Sequence, residues 1–320
     1  MINGPEFSKK QIVFAFLSAG EKVSFSNDNI VVKDCDGKIK LQATCYRLHI
    51  IFIIGNMTVT SGLLQKAHKF GFAVVLMTPY FKVYEFLGGC MEGNTLLRRK
   101  QYEYTGLSLG KRIIQNKVEN YRKLLQQERG KSDEDLTAIS KLLDYEDKIG
   151  CHEGLLQELL GLEGLAARTF FSRYYSGLDW HGRKPRIKPD YINSTLDIGY
   201  TMLFNFIDAL LNIYGFDTYC GVLHTEFYMR KSLVCDLMEP FRFLIDKQVR
   251  KSVNLKQAKP EDFNVINGRY LLNWKKNQEY IGFLIRPILE HKMEIFSYIQ
   301  AYYRSFIRQK PVNEYPWFSV

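Results

Sequence analysis

Two carboxylates lie three residues apart in the apolar segment SLVCDLMEPFR, residues 232–242. The spacing of its leucine, methionine and phenylalanine side chains predicts a buried helix, and a separation of three places Asp236 and Glu239 on one face of that helix. Like charges this close raise each other's pKa unless a cation lies beside them. The pair therefore indicates either a bound divalent cation or a salt bridge, for which Arg242 lies three residues beyond Glu239.

Glu163 raises the same question in the segment LLGLEGLAARTFF, residues 159–171. Its neighbours on the predicted helix face are apolar and include Leu159 and Ala166. A carboxylate on such a face has to pair with a base, bind a cation or carry a raised pKa. Two interpretations stay open: an ion pair with Arg168 or another base, and a ligand of a metal ion.

His224 lies in GVLHTEF, residues 221–227, a loop or strand end between two predicted helices. A single histidine in apolar company is ordinarily a satisfied core residue. Together with Glu163, Asp236 and Glu239, however, it gives a set of oxygen and nitrogen donors suited to Mg²⁺ or Mn²⁺. Such an ion beside a basic surface is typical of phosphodiester chemistry, in which His224 could ligate the ion or move a proton. Without the ion, we expect uncompensated negative charge in an apolar site.

The charge balance favours a polyanionic partner. The chain of 320 residues is 46% hydrophobic and 24% charged, which is typical of a soluble globular protein, and its net charge is +10. The excess is uneven, because residues 242–310 contain 14 basic and 6 acidic side chains. A basic excess concentrated in one segment indicates nucleic acid, and the alternative is a basic surface that binds nothing.

Missing signatures exclude several classes of protein. The sequence contains no Gly-x-Gly-x-x-Gly and no His-Glu-x-x-His, and GLSLGK at residues 106–111 is one residue short of a phosphate-binding P-loop. None of the six cysteines forms a Cys-x-x-Cys pair, so neither a zinc knuckle nor a disulfide framework is expected. Scattered thiols indicate a reducing, cytoplasmic compartment. No run of eighteen apolar residues and no secretory signal is present, so no membrane association is expected.

The order of predicted elements indicates an α+β protein. Short β-rich segments separated by Gly, Asp and Asn fill the first ninety residues, with one helical segment, TVTSGLLQKAHKFG, among them. Long segments with helical spacing follow, and the most apolar, DYINSTLDIGYTMLFNFIDALLNIYG, is expected to lie centrally. The prediction is a small amino-terminal β-rich domain, residues 1–92, followed by a larger all-α catalytic domain, residues 93–320.

At these motifs the sequence resembles the CRISPR adaptation integrases, the Cas-one family. LLGLEGLAARTFF is similar to the first family motif, GVLHTEF to the second and SLVCDLMEPFR to the third, which is the most specific. YINSTLDIGYTML, and in the amino-terminal unit IFIIGNMTVTSGLLQKAHKFGFAVVLMT and GNTLLRRKQY, also follow the family pattern in order. The resemblance spans most of the chain.

The resemblance implies a site and a reaction. It implies that Glu163, His224 and Glu239 hold a catalytic Mg²⁺ or Mn²⁺, with Asp236 in support; many members have Asp in place of Glu239. It also implies insertion of short DNA fragments into a repeat array, by attack of a 3′-hydroxyl on a phosphodiester, and endonuclease activity on branched DNA. The implied partners are double-stranded and branched DNA, a second copy of the chain bound through the amino-terminal domain, and a small ferredoxin-like protein of the Cas-two family.

Basic residues near the motifs then become candidates for contacts with DNA phosphates, which add affinity without reading sequence. The candidates are Arg168, Arg183, Lys184, Arg186, Lys188, Arg242, Arg250 and Lys251. The alternative for these residues is a solvated basic surface. Two other functions stay open for the whole chain: a stand-alone nuclease or resolvase of branched DNA with the same metal site, and a catalytically silent DNA-binding scaffold.

Overall fold

The computed structural model describes residues 3–56, 58, 60–88, 93–180, 182–224 and 228–319. Its first part is rich in strands. In chain order the elements are α1 (Gly4–Ser8), β1 (Gln11–Leu17), β2 (Lys22–Ser26), β3 (Asn29–Lys33), β4 (Ile39–Thr44), β5 (Leu48–Gly55), α2 (Ser61–Phe70), β6 (Ala73–Met77) and β7 (Val83–Gly88).

These strands form two sheets. One has the order β1-β5-β6-β7, in which the first three strands are parallel and β7 is antiparallel; the other is the antiparallel meander β2-β3-β4. Every residue of β5 is buried, as expected for an apolar strand covered on both faces. Ile51 and Ile53 pack with α2 and the small sheet, whereas Ile50, Phe52 and Ile54 join the core of the helices. Strand β5 thus ties the two parts of the molecule together.

The second part is mostly helical. Its elements are α3 (Thr95–Glu103), α4 (Ser108–Gln127), α5 (Asp133–Gly150), α6 (Leu156–Tyr174), α7 (Tyr191–Tyr214), α8 (Ser232–Met238), α9 (Arg242–Asn254), β8 (Phe263–Ile266), β9 (Arg269–Leu272), α10 (Asn277–Leu284), α11 (Arg286–Glu290) and α12 (Lys292–Ile307).

Helix α7 is the central helix, as its composition predicts. It begins at an Asp190 cap and packs against α8, α9, α10 and α12. It is also long and apolar enough to cross a membrane by composition alone, but 72% of the apolar window lies inside the protein, so it is the core helix of this fold. Gly199 allows its close approach to α9, because a Cβ there would lie 2.5 Å from Cγ2 of Ile245.

The predicted fold class is confirmed: a β-rich region precedes a larger helical one. Strand β7 ends at Gly88 and α3 begins at Thr95, while residues 89–92 lie outside the described residues, so the exact domain boundary stays a prediction. The helical region also contains the β8–β9 hairpin, which the sequence analysis missed although Asn267 and Gly268 form the positive-φ dipeptide typical of tight hairpins.

Candidate active site

Three helical segments bring three charged side chains together at one point. Lys117 on α4 forms an ion pair with Oε1 of Glu163 on α6, and its Nζ lies 2.6 Å from Oε2 of Glu239, which directly follows α8. Helix α4 packs against α6, α8 and the turn that contains Glu239, and this packing sets the meeting point. Glu163 therefore has the ion pair that one interpretation required, but the base is Lys117 rather than Arg168, which lies exposed on α6.

Glu239 is buried between two cations. Its Oε2 lies 3.0 Å from Nε of Arg242 and 2.6 Å from Nζ of Lys117. Burial alone would raise the pKa of Glu239, but Arg242 and Lys117 outweigh burial and hold it below its ordinary value, with His224 acting in the same direction. The expectation of uncompensated negative charge is therefore wrong, because two cations neutralise the buried carboxylate.

Pro240 interrupts the helix directly after Glu239. Proline lacks the N–H that a continuing helix needs, so α8 ends at Met238 and a 3₁₀ turn, Glu239–Phe241, leads into α9. The continuous helix predicted for this segment is thus wrong in its middle. The two carboxylates do not share one cation: Glu239 pairs with Lys117 and Arg242, and Asp236 with the 221–224 loop.

Asp236 anchors the loop that carries His224. Its carboxylate is fully buried and accepts hydrogen bonds from the backbone N–H groups of Val222 at 2.7 Å, Leu223 at 3.0 Å and His224 at 3.1 Å. The same carboxylate lies 2.5 Å from Nδ1 of the His224 ring. Since the carboxylate is the acceptor, Nδ1 carries the proton, and the lone pair of the imidazole is on Nε2. A carboxylate often orients a histidine in this way when the histidine binds a metal ion or transfers a proton.

Gly221 makes this cradle possible. A Cβ at this position would lie 2.7 Å from Oδ2 of Asp236, 2.8 Å from Cβ of Ser232 and 2.9 Å from the carbonyl oxygen of His224. These distances are shorter than van der Waals contact, so any larger residue would push the loop off the carboxylate.

A buried polar layer lies behind the site. The guanidinium of Arg242 lies 4.8 Å from the ring centroid of Tyr200, whose hydroxyl donates to Oδ1 of Asp246 at 2.5 Å. Burial raises the pKa of Asp246 to about 7, although Tyr200, Arg242 and Arg183 pull it down. This carboxyl thus titrates near neutral pH, and its Oδ2 makes no hydrogen bond in the described structure.

Helix α4 is pinned by a segment far along the chain. Asn116 and Asn120, on either side of Lys117, both donate to the carbonyl oxygen of Phe318, at 2.6 Å and 3.0 Å. Asn120 also donates to the carbonyl of Pro240 at 3.0 Å. The position of Lys117 is therefore fixed by contacts with both the third motif and the residues around Phe318.

The basic residues predicted to contact DNA fall into two groups. Arg183 donates to Asn193 and Asp197, Arg242 pairs with Glu239, and Arg250 pairs with Glu128, so these guanidinium groups have partners within the protein. Lys188 is half-buried, and burial lowers its pKa. The candidates with exposed side chains are Arg168, Lys184, Arg186 and Lys251. Contact of any of them with DNA stays a prediction.

Cavity volume does not identify the site. Lys251 lines a cavity of about 920 Å³ bordered by α9, α12 and the residues around Phe318, and neither Glu163 nor Glu239 lies in its walls. The charged centre is instead recognised by the convergence of two carboxylates on one ammonium group.

The donor set fits a divalent cation in part. Glu163 and Glu239 already converge on one cation, and carboxylate oxygens are what Mg²⁺ and Mn²⁺ prefer. Within the described ranges, however, no three His, Cys, Asp or Glu side chains are close enough to hold one ion, so His224 does not close the set in this structure. Glu163, His224 and Glu239 as joint ligands stay a prediction.

Sequence reasoning missed Lys117. It lies on the buried face of α4 together with Ile113, Ile114 and Tyr121, at helical spacing. Glu163 is singled out because a charged residue occupies a core position. The same criterion applied to NKVENY, residues 116–121, identifies Lys117 as its partner.

Comparison with known proteins gives a consistent picture. Residues 15–284 match the family model of CRISPR associated protein Cas1. The chain is 29% identical over 243 residues to CRISPR-associated endonuclease Cas1 1 of Thermodesulfovibrio yellowstonii, covering 71% of this chain and 74% of that protein. It is 26% identical over 270 residues to CRISPR-associated endonuclease Cas1 4 of Methanospirillum hungatei, covering 82% and 75%.

Solved structures share the fold. A Cas6-RT-Cas1–Cas2 complex aligns with a TM-score of 0.81 at 20% identity, covering 97% of this chain and 36% of that one. A Cas1 protein from Thermotoga maritima aligns with 0.78 at 17% identity, covering 92% and 97%. A casposase bound to integration product aligns with 0.76 at 18% identity, covering 94% and 91%. With the family model matched over residues 15–284, the chain belongs to the Cas1 family of CRISPR-associated proteins.

Proposed function

We propose that this chain is a metal-dependent DNA integrase of CRISPR adaptation, with endonuclease activity, acting in the cytoplasm. The observation that carries the proposal is the convergence of Glu163 and Glu239, from separate helical segments, on one cation in a largely buried site. Relatives named as CRISPR-associated endonucleases and a neighbour bound to an integration product support the same chemistry.

Glu163, Glu239 and His224 are the residues that would hold Mg²⁺ or Mn²⁺. The bound ion would polarise a phosphoryl oxygen and stabilise charge on the attacking or leaving oxygen. Asp236 orients His224 by accepting from Nδ1, which presents the lone pair of Nε2 to a ligand or a proton. Arg242 keeps Glu239 ionised, and therefore able to bind a cation, despite its burial.

The proposed reaction is a transesterification. The 3′-hydroxyl of a short DNA fragment attacks a phosphodiester of the repeat array, so that one phosphorus–oxygen bond forms while another breaks. No net phosphodiester bond is consumed, and the step needs no nucleotide cofactor. Endonuclease activity is the same reaction with water in place of the 3′-hydroxyl.

The proposed partners follow from relatives with the same fold. These include complexes named as Cas1–Cas2 assemblies and one named as a Cas1–DNA complex, which aligns with a TM-score of 0.60. We therefore propose a homodimer through the β-rich part, a Cas2 partner, and double-stranded or branched DNA as substrate. The exposed basic side chains of Arg168, Lys184, Arg186 and Lys251 are the proposed contacts with phosphates.

The test is strand transfer of a labelled DNA fragment into a supercoiled plasmid that carries a leader and a repeat. The Glu163→Gln and Glu239→Gln variants keep the shape of the site and remove one charge each, so transfer should be lost while DNA binding in a gel shift is retained. Glu153→Gln is a matched control, because Glu153 is exposed and belongs to no part of the site.

Four results would decide between the candidate functions. Transfer that needs Mg²⁺ or Mn²⁺ and both glutamates supports the integrase. Cleavage of branched DNA without insertion would support a stand-alone nuclease or resolvase instead. Full transfer activity in both variants would contradict the site, and DNA binding without any catalysis would indicate a silent scaffold.

A further inference from the structure

Lys117 belongs to none of the recognised motifs, yet it lies at the centre of the charged site. Its side chain is only 7% exposed, and its ammonium group contacts Oε1 of Glu163 and Oε2 of Glu239. A buried ammonium is stable only when it is paired, and here the two partners come from two different helical segments. Lys117 therefore acts on the distance between the carboxylates as well as on their charge.

The turn of α4 that carries Lys117 is tied to two other segments of the chain. Asn116 and Asn120 tie the same turn of α4 to Phe318, and Asn120 also reaches Pro240, next to Glu239. The ring of Tyr121 lies 5.7 Å from the ammonium nitrogen. These contacts distinguish Lys117 from a surface lysine that forms a salt bridge by chance.

The charges in the site are closely spaced. Nζ of Lys117 lies 2.6 Å from Oε2 of Glu239, and the same oxygen lies 3.0 Å from Nε of Arg242. The geometry thus presents an ammonium ion in the position where two carboxylates would share a metal ion.

We propose that Lys117 is a positioning residue that serves as an internal counter-cation: it holds Glu163 and Glu239 together and competes with a divalent ion for the space between them. This inference rests on the proposed function, because it assumes that the two glutamates bind the ion. A divalent ion that reaches both carboxylates has to displace the ammonium, since the two cations would repel each other strongly at this distance. The flexible four-carbon stem of lysine permits such a movement.

The consequence is a site that stays assembled without a metal ion and binds the ion more weakly than its carboxylates alone would. The test is titration of the full chain with Mn²⁺ in a calorimeter, together with thermal melts in chelator and in Mn²⁺. In the Lys117→Met variant the Kd for Mn²⁺ should fall at least about tenfold, because a competing unit charge at ion-pair distance is removed. The midpoint in chelator should fall, and the rise on adding Mn²⁺ should be larger than in the wild type.

Two further variants keep the test sharp. Lys123→Met removes a lysine from the same helix whose ammonium pairs with Glu119 at 2.9 Å, so it should keep the wild-type Kd. Lys117→Gln removes the charge but keeps a hydrogen-bond donor for the carboxylates, and it serves if the methionine variant does not fold. Its Kd should also fall.

The outcomes separate this inference from the proposed function. If the wild type binds Mn²⁺ and the Lys117 variants bind it equally or more weakly, Lys117 is not a competitor, and the proposed function stands. If the wild type shows no Mn²⁺ binding, or if Glu239→Gln binds Mn²⁺ as well as the wild type does, the proposed metal site is wrong and the inference falls with it.

Discussion

Nδ1 of His224 lies 2.5 Å from Oδ1 of Asp236, and the same carboxylate holds three successive backbone N–H groups of the 221–224 loop. One buried side chain thus sets both the path of the loop and the tautomer of the histidine. Asp236 acts through His224 rather than beside Glu239, although the two carboxylates are only three residues apart.

The first prediction concerns this carboxylate. Asp236→Asn should lower strand transfer by about 10- to 100-fold, because an amide nitrogen would face backbone donors and His224 would lose its fixed tautomer. The thermal midpoint should also fall, since a fully buried acceptor is lost. Asp217→Asn is the control, as Asp217 accepts from Tyr102 outside the cradle. Wild-type transfer in Asp236→Asn would refute the orienting role.

Glu239→Gln should destabilise the protein in chelator by about 3 kcal/mol, because Lys117 and Arg242 would lose a buried carboxylate. If like-charge repulsion between Asp236 and Glu239 dominated, Glu239→Gln would instead stabilise the protein. Lys117 and Arg242 neutralise Glu239, so we expect no such gain. Mn²⁺ should raise the midpoint of the wild type and leave the variant unchanged. Melts in chelator and in Mn²⁺ measure both effects, with Glu153→Gln as the control. A wild-type midpoint indifferent to Mn²⁺ would count against the metal site.

Gly221→Ala should reduce both stability and transfer, because the added methyl group would lie 2.7 Å from Oδ2 of Asp236. Overpacking of this kind costs about 1–3 kcal/mol. Gly282→Ala is the matched control: its Cβ meets nothing within 4 Å, and alanine favours a helix over glycine. Denaturant melts and the transfer assay are the measurements, and equal behaviour of the two variants would mean that the loop adapts freely.

Burial of Asp246 should make stability depend on pH near neutrality. The pKa is raised from 3.8 in the unfolded chain to about 7 in the fold, so folding favours the protonated form and the wild type loses stability as the pH rises between these values. The full loss, about 4 kcal/mol for roughly three pKa units, is present above pH 7. Asp246→Asn cannot ionise, so its advantage over the wild type should grow from pH 5 to pH 8.

Thermal melts across that pH range check this expectation. Asp144→Asn, at an exposed position of α5, should show no such trend. An Asp246→Asn advantage that does not change with pH would mean that the carboxyl is ionised throughout.

The loop that contains Lys184 and Arg186 gives a prediction about how DNA binding depends on salt concentration. Lys184 and Arg186 are exposed, and if each contacts a phosphate, their joint replacement by alanine should lower the log–log salt slope of duplex binding by about 0.9 per contact. Arg183 is kept, because it supports the loop through Asp197. The Lys38→Ala, Lys141→Ala double variant removes the same charge from two other exposed positions. Equal slopes in the two double variants would indicate that the loop faces away from DNA.

The sequence predicts the elements well and their interruptions poorly. Apolar periodicity is a local property, so the strands up to Gly88 and the core helix α7 follow from it. Pro240 is readable in the sequence as a helix interruption, but the helical pattern around it favours one continuous helix. Of the two alternatives for the carboxylate pair, the salt bridge between Glu239 and Arg242 is present.

The site itself is only half visible in the sequence. Glu163, His224 and Glu239 are singled out by polar residues in apolar segments and by resemblance to a family. Their pairings depend on which helices meet, and Lys117 lies 46 residues before Glu163 in the chain. A local sequence pattern does not show that Lys117 contacts Glu163, so only the tertiary structure reveals this ion pair.

The tie between α4 and Phe318 has a consequence for biosynthesis. Asn116 meets the carbonyl of Phe318, which lies 202 residues later in the chain. At ribosomal rates of about 5–20 residues per second, helix α4 is made roughly 10–40 s before the partner that fixes it. The turn that carries Lys117 therefore lacks its contact with Phe318 throughout that interval, and the charged site of a nascent chain is still without this support.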